Sequence, residues 1–457
     1  MTAHPGVSLH GPTLNGLRAM RERLRAAARR GLVAAIDLGS AKTACFILRI
    51  DAQRLARAQE MAEAGDAGAH DALGAVRVVG VGVVRSGGVR LGEIVDMEEA
   101  GRSVRAALEL AEKMAGERVD QAVATLSGGR PRSAAAHGLA MVEGVAVCAR
   151  DVARAATSCR LPREEGRALL HAQPVNFEID GVGGLNDPRG MSGERLGCDA
   201  HVLTVAAGPL RNLAQCVRGA DLELAGVVSG AYAAGLSSLV EDEQRLGAAC
   251  VDMGAGATSL SIFLRGHMIH AQSVRLGGDH VTLDIAQGLA MPQADAERVK
   301  TLHGGAVATG LDDREMIEAP RLGDDDPHER RRISRAVLIG VIRPRLEETL
   351  ETVRDRLRAA GFEHLPGRRI VLTGGAAQLP GLEEAAQRIL GRRTRVGRPM
   401  RIAGLPQNAA GPAFAAGVGL AVYAARPRDE LWDYDAPSAA AGRGRVARAV
   451  RWFKENW

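Results

Sequence analysis

The sequence predicts an α/β protein built from two similar halves, and three observations predict it. First, "AAIDLGSAKTACFILR" from residue 34 and "AACVDMGAGATSLSIFLR" from residue 248 share one pattern. Each is an apolar run, Asp-x-Gly, a small-residue turn and a second apolar run ending at Arg, so that Asp37, Gly39 and Thr43 recur as Asp252, Gly254 and Thr258. Second, strand-length apolar runs alternate with helical patterns along the chain, which calls for crossover connections. Third, "RRIVLTGGAAQLPGL" at 368–382 places Gly374, Gly375 and Ala376 between a strand and a helix start.

Taken in order, residues 1–30 read as a basic extension. Its six arginines fall all round a helical wheel, so a solvated tail is expected rather than a DNA-binding element. Strands follow at "LVAAIDL", "TACFILRI" and "AVRVVGVGVV", with a polar, Ala-rich stretch before the last. "MEEAGRSVRAALELAEKMAG" is helical and opens what reads as an inserted unit over about 97–176, carrying strands "QAVATLSGG" and "GLAMVEGVAV" and a further helix. The strand "DAHVLTVAAG" and a helix around 209–219 resume the pattern. The second half runs from the repeated motif through a charged loop, a long helix over 333–360, the strand "RRIVLTGG" and a final helix. "ARPRDELWDYDAPSAAAGRGR" reads as a mobile linker.

Composition bounds the rest. At 457 residues, 46% hydrophobic and 25% charged, the chain is long enough for several globular domains. Only 3% is aromatic, so the core is expected to be aliphatic. A net charge of +5 is modest for this length, and no nucleic acid is expected. The six cysteines form no Cys-x-x-Cys pair and have no His at ligand spacing, which predicts reduced thiols rather than disulfides or zinc. No apolar signal segment follows the N-terminus. The uncharged run 402–425 is broken by Pro406 and Pro412, so it reads as a loop and a buried helix, not a membrane span.

A strand that ends in Asp-x-Gly and turns through small residues exposes backbone N–H groups to an approaching anion. Asp37, Gly39, Ser40, Ala41, Lys42 and Thr43 form one such phosphate turn, and Asp252, Gly254, Ala255, Gly256 and Thr258 the other. Asp37 is placed to orient Mg²⁺ through water beside the phosphates. Gly374, Gly375 and Ala376 would let a base or sugar lie against the backbone. Glu297 and Lys300, one helical turn apart, are read as contacts to the ribose and base, against the plain alternative of a solvent-facing ion pair. Lys42 and Lys300 are two of only four lysines among 59 basic residues.

With these residues in place, the chain resembles the nucleotide-binding superfamily of actin, Hsp70 and the sugar kinases. Within it, "IDLGSAKT", "DPRGMSGERL", "SSLVEDEQRLGAACVDMGAGATSLSIF", "DAERVKTLHG", "RPRLEETLE" and "IVLTGGAAQLPGL" resemble the FtsA cell-division family, in the same order, over most of residues 31–425. The resemblance implies an actin-like two-domain fold of duplicated ribonuclease-H-like halves with an FtsA-type 1C insertion. It divides the chain into an N-terminal extension at 1–30, subdomain 1A at 31–96 and 177–245, 1C at 97–176, 2A at 246–290 and 368–425, 2B at 291–367, a linker at 426–441 and a terminal helix at 442–457. It implies ATP and Mg²⁺ as cofactors, self-assembly into filaments, capture of the FtsZ C-terminal tail by subdomain 2B, and contact with later division proteins through 1C. Arg335, Arg343 and Arg345 fall in the matching region and carry charge that carboxylates on such a tail would pair with.

Residues 224–240 depart from the superfamily's ATPases, since they hold no Asp, Glu, Gln or His to position an attacking group. Ala257 also stands where this loop often has glycine. At most weak ATPase activity is expected. A small-molecule kinase and the actin-like component of a pilus-assembly platform are the competing readings.

In "GRVARAVRWFKENW" the residues Val446, Val450, Phe453 and Trp457 share one helical face, Trp452 borders it, and Arg and Lys cover the rest. A basic amphipathic helix of this kind binds an anionic membrane surface in its plane. The expected location is the cytoplasmic face of the inner membrane at the division site, with many weak tails acting together on a filament. The kinase and pilus readings have no use for such a tail.

Overall fold

The computed structural model describes residues 7–8, 11–12, 14–63, 69–320 and 331–434. The described residues divide into two compact units, the larger drawn from those up to 133, 165–170 and 203–427, and the smaller from 134–164, 171–202 and 428–434.

The larger unit holds two five-stranded sheets that are copies of one another. The first runs Glu223–Ser229, Gln121–Leu126, Leu32–Leu38, Lys42–Ile50, Val76–Arg85, and the second, read in the matching direction, Thr394–Val396, Arg369–Thr373, Ala248–Met253, Thr258–Leu264, His267–Val274. In each sheet the first two pairings are parallel and the last two antiparallel. The central strands are buried on both faces, which is why they read as nearly continuous apolar runs up to Asp37 and Asp252.

Two helices of small residues, Gly230–Ser238 and Ala415–Ala425, cross between the halves and are buried all round. A Cβ on Gly419 would stand 1.8 Å from the Ala233 carbonyl oxygen, so the crossing depends on glycine there. This accounts for the chemically bare 224–240 stretch: it is a strand and a packed crossover helix.

The solvated tail expected for residues 1–30 fails for Leu14–Arg30. That segment is a helix lying along the Glu223–Ser229 edge strand, with Leu17, Leu24, Ala27 and Ala28 buried. Arg21 joins this inner face, and its guanidinium donates to the Tyr423 hydroxyl at 3.4 Å and the Pro427 carbonyl at 3.2 Å. Its charge disguised an inward position. Arg23 also donates to the Leu224 carbonyl at 3.1 Å, at the strand edge.

The insertion also starts later than expected. Met97–Ala115 packs on Lys42–Ile50 and Val76–Arg85, so tightly that a Cβ on Gly82 would meet the Ala107 carbonyl oxygen at 1.9 Å. It therefore covers the first sheet, and residues 97–133 belong to the larger unit while 177–202 belong to the smaller. Helical periodicity at 97–115 established a helix but not which sheet it would cover. The smaller unit centres on a four-stranded sheet ordered Val182–Leu185, Arg167–Ile179, Arg195–Ala206, Arg132–Met141, with the helix Ala149–Ser158.

The mobile linker expected from 426 fails for residues 428–434. Glu430 is fully buried in the smaller unit, accepting from Ala172 N–H at 2.5 Å and Gln173 Nε2 at 3.0 Å, with His171 Nδ1 at 2.9 Å. Leu431 and Trp432 are buried beside it. Residues 435–441 and the membrane-facing candidates Val446, Val450, Trp452, Phe453 and Trp457 lie outside the described residues.

Candidate functional site

Both motifs are β-hairpins of one register. Asp37 pairs with Ala44 and Leu38 with Thr43, just as Asp252 pairs with Ser259 and Met253 with Thr258. The turns close alike, Gly39 N–H donating to the Lys42 carbonyl at 3.1 Å and Gly254 N–H to the Ala257 carbonyl at 3.0 Å. Ala257 therefore occupies the position of Lys42. Thr43 and Thr258 are fully buried at the turn bases, Thr43 sharing a 2.7 Å hydrogen bond with Ser86 and Thr258 donating to the Leu276 carbonyl at 2.8 Å. The Ala41 carbonyl accepts from Ser86 N–H at 3.1 Å.

The two turns touch. A Cβ on Gly256 would lie 2.4 Å from Ser40 Oγ and 2.8 Å from Leu91 N, and Ser40 Oγ itself accepts from Gly92 N–H at 3.0 Å. Each turn follows directly on its own carboxylate, Asp37 or Asp252, at the strand end. Asp37 accepts from Thr125 Oγ1 at 2.7 Å. Asp252 is pushed up to about 7 by burial and then by the charge of Asp37, with Lys42 opposing. Lys42 donates to the Ala413 carbonyl and lies 4.7 Å over the Phe414 ring. Carboxylates, hydroxyls and turn amides are hard donors, suited to Mg²⁺ and phosphate oxygens rather than to soft metals.

The third element closes on the second turn. Gly374 has φ +89°, and a Cβ there would meet Asp252 Oδ1 at 2.4 Å. Gly375 is in the right-handed helical region, and Ala376 opens a short 3₁₀ turn, Ala376–Gln378. The α-helix begins only at Leu382, after Pro380 and Gly381 have broken the path. Gly278 and Asp279 donate their N–H groups to Gly254 and Ala255 carbonyls at 3.0 and 2.8 Å. Burial raises the Asp279 carboxyl, with Lys300 opposing. Lys300 Nζ donates to the Gly278 carbonyl (3.0 Å), Thr282 Oγ1 (2.8 Å) and Glu297 Oε2 (2.6 Å). A Cβ on Gly278 would be 3.5 Å from Ala376 Cβ and 3.6 Å from Lys300 Nζ. The structure thus gathers Ala255, Lys300 and Ala376 around one glycine that sequence reasoning passed over. Glu297 is half exposed and paired with Lys300, whose side chain is mostly buried.

Thr125 was also missed, although "TLSGG" at 125–129 parallels "TGG" at 373–375 and carried the signal. Gly277, whose Cβ would meet the Ala255 carbonyl oxygen at 2.4 Å, had no sequence signal beyond a Gly-Gly-Asp before a helix.

The three arginine candidates sit apart from this cleft. Arg335 donates to the His303 carbonyl at 2.9 Å and pairs with the buried Asp312. Arg345 holds Asp284 through two bonds of 2.6 and 3.0 Å. Arg343 is the most exposed of the three, facing Glu347 at 3.5 Å.

Two duplicated halves that lend one turn each to a single cleft define a protein of the actin-like class. Solved structures agree on the fold: a chain of a PilM–PilN type IV pilus biogenesis complex matches at TM-score 0.57 with 16% identity, over 86% of this chain and 99% of that one. MreB5 of Spiroplasma citri bound to AMPPNP matches at TM-score 0.50 with 15% identity, over 86% and 95%. The family described as cell division protein FtsA matches residues 249–419, and the SHS2 domain inserted in FtsA matches 128–204. Cell division protein FtsA of Agrobacterium fabrum is 41% identical over 93% of this chain and 95% of its own length. That of Escherichia coli K12 is 33% identical over 77% and 84%. The chain belongs to the FtsA family of cell-division proteins.

Proposed function

We propose that the chain binds ATP with Mg²⁺ in the cleft between its halves and works as a membrane-bound adaptor for FtsZ during division. The carrying observation is the pair of identically registered turns in contact at Gly256 and Ser40, with Asp37 and Asp252 behind them. The turn amides of 39–43 and 254–258 would take the phosphates, Asp37 would orient the metal's waters, and the Gly278, Lys300 and Ala376 cluster would meet the ribose and base. The metal would supply charge neutralisation between phosphates and carboxylates. That the Spiroplasma MreB5 structure carries AMPPNP supports a nucleotide for a fold of this kind. Turnover is expected to be weak, because the stretch where a water-orienting residue is sought is the buried crossover.

The Val446, Val450, Trp452, Phe453 and Trp457 face would anchor the chain on the cytoplasmic side of the inner membrane, and filament assembly would multiply that weak grip. For FtsZ, the acidic tail would meet Arg343 first, since Arg335 and Arg345 hold carboxylates within the fold. Leu302, Leu311, Met316 and Val337 are exposed, each beside a residue that contacts or pairs with the Ser334–Arg335 corner, and offer apolar surface to the tail. The inserted subdomain would receive later division proteins. No helix among the described residues is long and apolar enough to cross a membrane.

The test is to pellet anionic liposomes with protein, ATP and FtsZ, comparing the full chain with one ending at Ala441. FtsZ pelleting only with the full chain supports the adaptor. Protein that pellets while leaving FtsZ in solution overturns the FtsZ role, and protein that stays in solution overturns the membrane role.

A further inference from the structure

The smaller unit has an apolar end that its own fold leaves uncovered. Leu139, Met141, Val145, Val182 and Met191 are the exposed large apolar side chains among its described residues, and all five stand where its sheet ends. The strand Arg132–Met141 finishes there, Arg167–Ile179 turns into Val182–Leu185 there, and Arg195–Ala206 begins there. Backbone bonds tie the connecting loops together. Val142 N–H donates to the Glu194 carbonyl and Val147 N–H to the Met191 carbonyl, each at 2.8 Å, and Asp180 N–H to the Arg195 carbonyl at 3.0 Å. Val145 is 92% exposed in the 142–147 loop, although Val147, two residues on, is buried.

The carboxylates at this end are answered from within the unit. Arg154 donates to Glu143 and to the Met141 carbonyl. Arg189 Nε donates to both Asp187 oxygens at 2.8 and 2.9 Å, and Asp180 accepts from Arg195 N–H at 2.8 Å. The apolar side chains are therefore what this end offers a partner.

The terminal segment points to which partner. Glu430 is bonded beside Ala172 and Gln173, in the middle of the Arg167–Ile179 strand. Tyr434, the last described residue, has a phenol raised by burial and acted on by Cys198 and Arg189. Cys198 lies near the start of its strand, and Arg189 belongs to the loop that carries Met191. The segment thus runs toward the apolar end as it leaves. Only seven residues, 435–441, separate it from the stretch 442–457. A chain of seven residues reaches at most about 25 Å.

We propose that the apolar end of the smaller unit is a second membrane contact, with Val145, Met141, Met191 and Val182 entering the headgroup region of an anionic bilayer beside the terminal helix. The inference rests on the membrane reading of that helix given above. Once the helix is bound, the short tether makes docking of this end an intramolecular step, so a small apolar contact is enough. Burial of its side chains in the headgroup boundary adds to the grip of the helix. Two points of attachment also fix how the smaller unit faces the bilayer, which a single tail cannot do.

The experiment places an environment-sensitive NBD fluorophore on Val145→Cys in the full-length chain, with Cys148→Ser removing the one exposed thiol. Vesicles of phosphatidylglycerol and phosphatidylethanolamine should raise its emission several-fold and shift it to the blue, and brominated lipids should quench it. Val145→Asp should weaken vesicle affinity about tenfold. Its unfolding midpoint should not change, because the native side chain is almost wholly exposed. A chain that sediments with vesicles while its label stays in water overturns the second contact and leaves the tail's role standing. Brightening without quenching by brominated lipid means that a protein surface, such as a second copy, covers this end instead. Unchanged affinity in Val145→Asp also overturns the proposal. A chain that does not sediment at all removes the membrane reading, and this contact with it.

Discussion

Thr125 Oγ1 donates to Asp37 Oδ1 at 2.7 Å, whereas Thr373, in register with Asp252 in the other half, turns its hydroxyl to the carbonyls of Gly397 and Pro412 at 3.2 and 3.3 Å. The duplicated backbone thus carries unequal electrostatics. One carboxylate keeps a buried donor, and the other is left to burial and to its neighbour's charge, which together raise it to about 7.

Thr125→Val removes that donor and leaves a buried carboxylate oxygen short of a partner. A loss of about 1–3 kcal/mol of stability is expected, with a weaker grip on Mg-ATP in the proposed site. Thr125→Ser should restore both. Denaturant unfolding and fluorescent nucleotide titration check it, and equal affinity in the Val and Ser variants would remove Thr125 from the site.

Asp252 supplies a pH signature. Its folded value of about 7 stands above the ordinary carboxyl value of 3.8, so over that interval the folded chain holds a proton that the unfolded chain has lost. Stability from this group is full below about pH 4 and is lost as pH rises through about 7. Asp252→Asn should flatten that decline in nucleotide-free protein, by on the order of 3 kcal/mol at most. Urea midpoints from about pH 5 to 8 decide it, and a slope unchanged in the variant would refute the assignment.

Gly256→Ala tests the contact between the turns. The fold around it should persist, because no positive φ is required there, but the new methyl would meet Ser40 Oγ and the Leu91 backbone. Nucleotide affinity is expected to fall at least tenfold, with a smaller loss of stability as the Leu91 backbone shifts. A midpoint that collapses instead would mean that the glycine serves folding first.

Glu430→Ala should open the end of the chain. His171, Ala172 N–H and Gln173 lose a shared buried acceptor, at a cost of about 2–4 kcal/mol to the smaller unit. Hydrogen exchange at 171–173 and proteolysis after 427 should both rise. Exchange that stays slow would show that Leu431 and Trp432 hold the segment without the carboxylate.

Arg343→Glu should weaken FtsZ co-sedimentation several-fold at unchanged stability, since this side chain is exposed and loosely paired. Arg345→Ala should instead lower stability through loss of its two hydrogen bonds to Asp284. The reverse pattern would move the FtsZ contact to Arg345.

Much of the site was legible because its parts are local. Asp-x-Gly turns need small residues next to a carboxylate, and the offset between Asp37 and Asp252 showed the duplication before any sheet was seen. What escaped were residues that matter through distant partners. Thr125 counts because parallel pairing sets it beside Asp37, and Gly278 because Lys300, Ala255 and Ala376 converge on it. Arg21 and Glu430 misled for a related reason, since charge argues for solvent until a fold supplies buried partners.

The sequence alone determined the two halves, most of their strands and helices, and the pair of Asp-x-Gly turns, because apolar period and small-residue turns are properties of neighbouring residues. Only the tertiary structure decided that Met97–Ala115 covers the first sheet, that Leu14–Arg30 lies along its edge strand, and that residues 428–434 lie folded in the smaller unit. It alone decided that two equivalent carboxylates would differ. Those outcomes depend on which surfaces meet across hundreds of residues, and burial, desolvation and neighbouring charge exist only once they have met.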